Sequence, residues 1–201
     1  MITNWFDDDP LFTRYYPDNP TYRSYFENEW GIPSHNDRQL FEMLSLSGFA
    51  AGLNWQVVLN KRHSFYQAFA HWQIDQIAQM TPTTVQELLH NPAIIRNPRK
   101  INAVVHNANV VQRLIHDYGS FDQYLWQQVD SRQLILEVAH FHDLPRRTLS
   151  GDRMSKCLRA AGFKFAGPIT VHAWMVTTGF ITARLDQKGI LPQKKRPPAL
   201  R

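Results

Sequence analysis

The sequence predicts an all-α fold, on three observations. Apolar residues recur at helical spacing through most of the chain, most plainly at Ile101, Val104, Val105, Ala108, Val111, Leu114, Ile115 and Tyr118. Two helix-start signals, Thr81-Pro82 and Asn97-Pro98, place a capping side chain before a proline at the first helical position. No segment alternates apolar and polar residues in a way that marks a strand.

The elements follow in order. Residues 1–36 are rich in proline, asparagine, aspartate and tyrosine and read as an irregular wrap with at most short helical turns. Asn36 or Asp37 then caps a helix carrying Leu40, Phe41, Leu44 and Gly48. Gly48 and Gly52 bracket Phe49-Ala-Ala, where a ligand can approach the backbone. A second helix is expected from about Leu53 to Lys61, and residues 64–80 are expected to continue helically through Phe65, Phe69, Trp72 and Ile77. Thr81-Pro82 opens a helix that stops by Asn91-Pro92. Asn97-Pro98 opens the strongest helix of the chain, which Gly119 ends, and Ser120 caps the next. Residues 130–149 read as helix or as ordered loop. From Ser150 a helix runs to Gly162, and Phe163-Lys164-Phe165-Ala166-Gly167-Pro168 forms a tight turn into a last helix closed by Gly179. The tail, 188–201, is basic, contains prolines and is expected to be mobile.

With 201 residues the chain is long enough for one domain of two lobes around a sizeable core. A formal net charge of +5 favours an acidic partner. The single cysteine, Cys157, excludes an internal disulfide and a cysteine-rich metal site and fits a reducing cytoplasm. The acidic N-terminal stretch has no signal-peptide core, and no apolar run approaches membrane-spanning length.

Several groups of residues suggest chemistry, each with a plainer alternative. Helix, glycine-containing turn and helix over 152–179 would aim free backbone N–H groups and a helix dipole at a phosphate, with Lys164 beside them. The alternative is an ordinary helical hairpin. Arg96, Arg99 and Lys100 surround a helix start, as phosphate contacts or as a solvated helix end. Trp5, Tyr25, Trp30 and Trp55 lie near glycines and suit a flat aromatic ligand, or else form core. None of the nine histidines has the acidic or cysteine neighbours of a familiar metal site.

These residues together resemble the DNA-3-methyladenine glycosylase I family. The resemblance rests on Asp9-Pro10-Leu11, Tyr25, Asn28-Glu29-Trp30-Gly31-Ile32-Pro33, Leu40-Phe41-Glu42, Ala51-Gly52-Leu53-Asn54-Trp55, Ile94-Ile95-Arg96, Arg99-Lys100-Ile101 and Gly162-Phe-Lys-Phe165-Ala-Gly167-Pro168, in the family's order over most of the chain. It implies a helix–hairpin–helix DNA glycosylase fold with a cleft between two helical lobes. It also implies a monofunctional hydrolase that flips an alkylated adenine out of double-stranded DNA and cleaves its N-glycosidic bond. Trp55 matches the stacking tryptophan and Tyr25 the pocket tyrosine. Gly52-Leu53 would fill the gap left in the duplex, and the Gly167 turn would hold the backbone. The expected partner is DNA with alkylated or abasic lesions. The expected setting is a bacterial cytoplasm, the expected state a monomer without cofactor.

The chain departs from the family pattern twice. Where the family carries a pocket glutamate in Leu-Glu-Gly, this sequence reads Leu46-Ser47-Gly48, so Ser47 stands at that catalytic position with shorter reach and no charge. Glu42 is a poor substitute, because it sits five residues back on another helical face. The cysteines and histidines of the family's zinc are replaced, with Thr3 or Asn4 and Phe26 at two of the positions, so no zinc is expected. A segment around Tyr15–Arg23 is inserted relative to the usual pattern and is expected to cover the lobe instead.

Overall fold

The computed structural model describes residues 13–184 except 15, 17, 139 and 140. Residues 1–12 of the expected wrap, with Thr3, Asn4, Trp5 and Asp9-Pro10-Leu11, and also His140 and the tail at 188–201, therefore lie outside the described residues. The elements are α1 (Pro20–Asn28), α2 (Asp37–Ala50), α3 (Trp55–Asn60), α4 (Arg62–Ala68), a 3-10 turn (Ala70–Trp72), α5 (Ile74–Ala78), α6 (Pro82–His90), α7 (Pro98–Tyr118), α8 (Phe121–Gln127), β1 (Leu134–Glu137), a second 3-10 turn (Phe141–Asp143), α9 (Leu149–Ala161), α10 (Pro168–Thr177) and β2 (Ile181–Arg184). No described helix is long and apolar enough to cross a membrane.

The expected capping signals form as read. Thr81 Oγ1 accepts the Thr84 N–H, Asn97 Oδ1 accepts the Lys100 N–H, and Ser120 Oγ accepts the Gln123 N–H. Asn36 caps α2, whereas Asp37 caps α8: its two carboxylate oxygens accept the Phe121 and Asp122 N–H groups at 3.0 and 2.8 Å. That pairing ties the start of α2 to the start of a helix more than eighty positions away in sequence.

Three expectations are corrected. Residues 20–28 are a nine-residue helix, not irregular chain. Asn19 caps it and Pro20 opens it, the same signal that marks α6 and α7. Its ring-rich composition hid the helical stripe of Tyr22, Tyr25 and Phe26, all buried. Residues 64–80 are not one helix. The chain breaks at Ala70, His71 and Trp72, which adopt φ of +48, +56 and +60°. The break turns Trp72 into the core, where it stacks on Phe69 at 5.3 Å between ring centroids and both are fully buried. Tertiary burial of two large rings overrides the local helical pattern. The fold is also not strictly free of strands. β1 and β2 form a two-stranded parallel pair with Leu134 opposite Ile181. Four-residue strands are too short to display a period, and their partners are remote in sequence, so the segment at 130–149 read equally well as helix or loop.

α2 is the axis of the fold. It packs on α7, which also carries α5, α6 and α8, and on α10, which also carries α9 and β2. Trp174 Nε1 on α10 donates to the Leu40 carbonyl of α2 at 3.2 Å, within the core. The C-terminal end of α10 meets the loop after α1. Gly31 and Ser34 N–H groups donate to the Thr177 and Thr178 carbonyls, each at 3.0 Å. Gly179 lies where these two segments cross, with φ +76°, and an added Cβ would land on the backbone of Ile32 and Pro33.

Gly179→Ala therefore combines left-handed strain of about 1–2 kcal/mol with overpacking of about 1–3 kcal/mol. A loss of roughly 3 kcal/mol in urea unfolding is expected. Gly167→Ala, where an added Cβ meets nothing within 4 Å, is expected to leave the midpoint nearly unchanged.

Candidate base pocket and nucleic-acid interface

A cleft of about 760 Å³ opens where α1, the C-terminal end of α2 and α10 face one another. α1 supplies Tyr22, Tyr25 and Phe26, followed by Trp30. α2 supplies Ser47 and Ala50, and the turn after it supplies Leu53, Asn54 and Trp55. α10 contributes Ile169, His172, Ala173, Val176 and Thr177, a helical i, i+3, i+4, i+7, i+8 stripe. The loop before α9 closes the remaining side with His142, Leu144, Pro145 and Arg146.

The aromatic wall is fixed from behind. Tyr25 and Trp55 lie 5.5 Å apart between centroids at an interplanar angle of 50°. The Tyr25 hydroxyl pairs with Thr177 Oγ1 at 3.0 Å and so joins α1 to α10. Burial pushes the Tyr25 phenol well above its usual range, so it stays neutral. Trp30 packs against Phe26 at 5.7 Å between centroids with the rings tilted by 41°, also on the cleft. Asn54 caps α3 by accepting the Gln56 N–H, which sets Trp55 at the first helical position.

Two glutamates that the sequence pattern left near the pocket are occupied elsewhere. Arg62, at the start of α4, donates from Nε and Nη2 to the two Glu42 oxygens at 2.8 and 3.2 Å and from Nη1 to Glu29 at 2.7 Å. Burial works against the guanidinium charge, but the bonds to Glu42 and Glu29 outweigh it and raise the Arg62 pKa. Ser47 lies on the cleft, nearly buried. Among the described residues lining the cleft there is no carboxylate and no lysine. No group of three or more metal-ligating side chains occurs among the described residues.

Beside the cleft, the turn from α9 into α10 is held by side chains from α7. Asn107 accepts the Lys164 N–H at 2.8 Å and donates to the Lys164 carbonyl at 3.1 Å, and His106 Nε2 donates to the Gly162 carbonyl at 2.8 Å. Ser155 Oγ donates to the Ala166 carbonyl within the core. Gly162 takes φ +106° and Phe165 φ +55°, so the turn is sharp. Gly167 precedes α10 without a side-chain cap, which leaves first-turn N–H groups free to meet an anion. The turn sits against α2: an added Cβ at Gly48 would lie 3.4 Å from Phe165 Cβ.

Lys164, Arg96 and Arg99 are exposed, as a phosphate contact requires. Lys100 is not, and its expected phosphate role is corrected. It is 8% exposed, and its Nζ donates to the carbonyls of Phe49 at 2.8 Å and Ala51 at 2.7 Å. The amine satisfies carbonyls at the C-terminal end of α2 that no further helical N–H reaches. Burial lowers its pKa. Its work is to hold the turn at Gly52, whose φ is +78°, and to present Leu53, 46% exposed, at the cleft edge. Sequence reasoning gave no role to His172, Thr177 or Arg62. The stripe beginning at Ile169 was the available signal for the first two.

Comparison with known proteins places these features in a wider set. The family model described as methyladenine glycosylase matches residues 15–188. DNA-3-methyladenine glycosylase 1 of Escherichia coli (strain K12) is 31% identical over 163 residues, covering 81% of this chain and 87% of the relative. DNA-3-methyladenine glycosylase of Haemophilus influenzae is 32% identical over 165 residues, covering 82% and 89%. A variant of 3-methyladenine DNA glycosylase I crystallised in complex with 3-methyladenine superposes with a TM-score of 0.83 at 29% identity, covering 93% of this chain and 96% of that one. The enzyme from Staphylococcus aureus superposes at 0.80 and 31% identity, covering 85% and 90%.

The reassignment of Lys100 has a measurable consequence. Arg99→Ala is expected to reduce the slope of log K against log salt for duplex binding by roughly 0.9, the value for one lost phosphate contact. Lys100→Met is expected to leave that slope unchanged and instead to destabilise the fold by about 2–3 kcal/mol, as two charge-assisted bonds are lost.

Proposed function

The chain belongs to the methyladenine glycosylase family, and from that membership we propose that it is a monofunctional DNA glycosylase of base-excision repair that hydrolyses the N-glycosidic bond of a flipped, alkylated purine. The observation that carries this reading is the aromatic cleft beside the α9–α10 turn. The turn offers N–H groups suited to a phosphate, and the cleft is large enough to admit a base. Lys164, Arg96 and Arg99 add charge for the DNA backbone, and Leu53 supplies an apolar wedge for the space the base leaves.

The chemistry asks little covalent work of the protein. Alkylation of a ring nitrogen makes the purine cationic and a good leaving group. The C1′–N bond breaks with its electron pair going to the base, which neutralises it. Water adds at C1′ and gives up its proton. Aromatic faces such as those of Trp55 and Tyr25 attract a cationic ring by about 0.5–2 kcal/mol. No lysine lines the described cleft, which fits water rather than an amine as nucleophile. The reading includes action as a monomer on double-stranded DNA bearing alkylated or abasic lesions, in a bacterial cytoplasm.

A second reading, a family member retargeted to another base, is favoured by one specific observation. The described cleft lining lacks a carboxylate, with Ser47 at the position the family gives to glutamate and Glu29 and Glu42 held by Arg62. A hydrogen bond to a charged group contributes about 1.5–3 kcal/mol. Ser47→Glu is therefore expected to raise kcat/KM for 3-methyladenine release from methylated DNA by about tenfold or more over the wild type. Failure of both proteins to release any base or to bind abasic DNA would remove the glycosylase reading.

A further inference from the structure

Among the described residues that line the cleft, Arg146 is the only lysine or arginine. It is exposed, and among the described residues it has no ion pair or hydrogen bond. Its neighbours on both sides are held. The Pro145 carbonyl is bonded to the His172 ring of α10. Arg147 pairs with Asp152 of α9 through Nε at 2.8 Å and Nη2 at 2.9 Å. Thr148 Oγ1 then caps α9 by accepting the Gly151 N–H at 3.1 Å. The backbone at Arg146 is thus fixed between two helices while its guanidinium is left without a partner. That is the arrangement of a positioned donor, not of a solvated side chain on a loose loop.

Charge decides what that guanidinium meets. An alkylated purine is cationic until its glycosidic bond breaks, and a guanidinium is always charged, so the two repel. The described cleft lining holds no carboxylate to separate them. A flipped nucleotide puts its base in the cleft and leaves its sugar, with a phosphate on either side, at the mouth. Phosphate is the anion that the planar guanidinium fork fits. The place of Arg146 on the rim agrees. Ile169, the second residue of α10, also lines the cleft, and His172, which holds Pro145, follows it by one turn, about 4.5 Å of rise. The free N–H groups at the start of α10 and Arg146 therefore stand at one part of the rim, on different elements.

We propose that Arg146 is a positioning residue that holds one of the two phosphates flanking the flipped nucleotide, while the N–H groups at the start of α10 hold the other. The proposal rests on the glycosylase reading and deepens it. Two phosphates of one nucleotide gripped from α10 and from the loop before α9 fix the sugar at the mouth, so the base stays in the cleft without a direct bond to it. The phosphate also neutralises Arg146, which removes a repulsion that the cationic base would otherwise meet on entering. Arg147 cannot share the task, because Asp152 occupies its fork.

The test measures affinity of the full chain for a duplex with one abasic site, in which either flanking phosphate is replaced by an uncharged methylphosphonate. Arg146→Ala is expected to weaken binding of the unmodified duplex by about tenfold and to lower the salt slope by roughly 0.9. Neutralising one flanking phosphate is expected to weaken the wild type by a similar factor and Arg146→Ala hardly at all. Neutralising the other is expected to weaken both alike. Arg146→Lys, which keeps the charge, is expected to recover most of the dependence, and Arg132→Ala, which removes an exposed charge away from the cleft, is expected to behave as wild type. Arg146→Ala that binds like the wild type, or that loses affinity at both phosphates as the wild type does, overturns the assignment and leaves the glycosylase reading standing. Base release by a wild type that does not bind the abasic duplex also overturns it, since the grip does not need the base. Neither binding nor release by the wild type removes both.

Discussion

The cleft depends on the Arg62 guanidinium. It lies 20% exposed between Glu42 of α2 and Glu29 at the end of α1, bonded to both. Removing it would leave two carboxylates close together in a largely buried space, the costly half of a broken ion pair. Its geometric role matters more than its net stability, since replacing such clusters by apolar groups is often neutral. The planar fork sets the distance and angle between α1, which carries Tyr25, and α2, which carries Ser47. It also engages both acids of the Glu29 and Glu42 pair, neither of which lines the cleft.

Other constraints extend from that one. Tyr25 reaches across to Thr177, and the Gly31 and Ser34 N–H groups bond to the end of α10, so α1 is fastened to the helix that also begins at the Gly167 turn. Lys100 fastens the opposite side, where α2 stops and Gly52-Leu53 project. The turn from α9 to α10 is in turn fixed to α7 through Asn107 and His106. The α9–α10 turn, Leu53 and the aromatic cleft are therefore joined through one network of hydrogen bonds. That arrangement suits an enzyme that must keep a base extruded from its stack while holding the duplex beside it.

Much of this was legible in the residues. Caps followed by proline located α6 and α7, and the resemblance carried by Asn28-Glu29-Trp30-Gly31 and Gly162-Phe-Lys-Phe165 located the aromatic wall and the turn. What escaped was nonlocal. Lys100 read as a surface cation because sequence spacing cannot show that its amine would meet the carbonyls of Phe49 and Ala51. The β1–β2 pair and the left-handed turn at Ala70–Trp72 exist because of partners far along the chain. His172 looked like one histidine among nine; only the packing of α9 on α10 shows it buried beside the cleft with Nδ1 3.3 Å from Thr148 Oγ1.

The central claim is that the cleft between Tyr25, Trp55 and α10 receives a damaged purine. Two-dimensional 1H–15N spectra of the labelled protein, titrated with 3-methyladenine and with a methylguanine, test it most directly. The Trp55 indole N–H, assigned through Trp55→Phe, is predicted to shift in a saturable manner with at least one of the bases, while the indole of Trp72, deep in the core, stays in place. Saturable shifts confined to residues away from the cleft, or no shift of Trp55 with either base, would contradict the account.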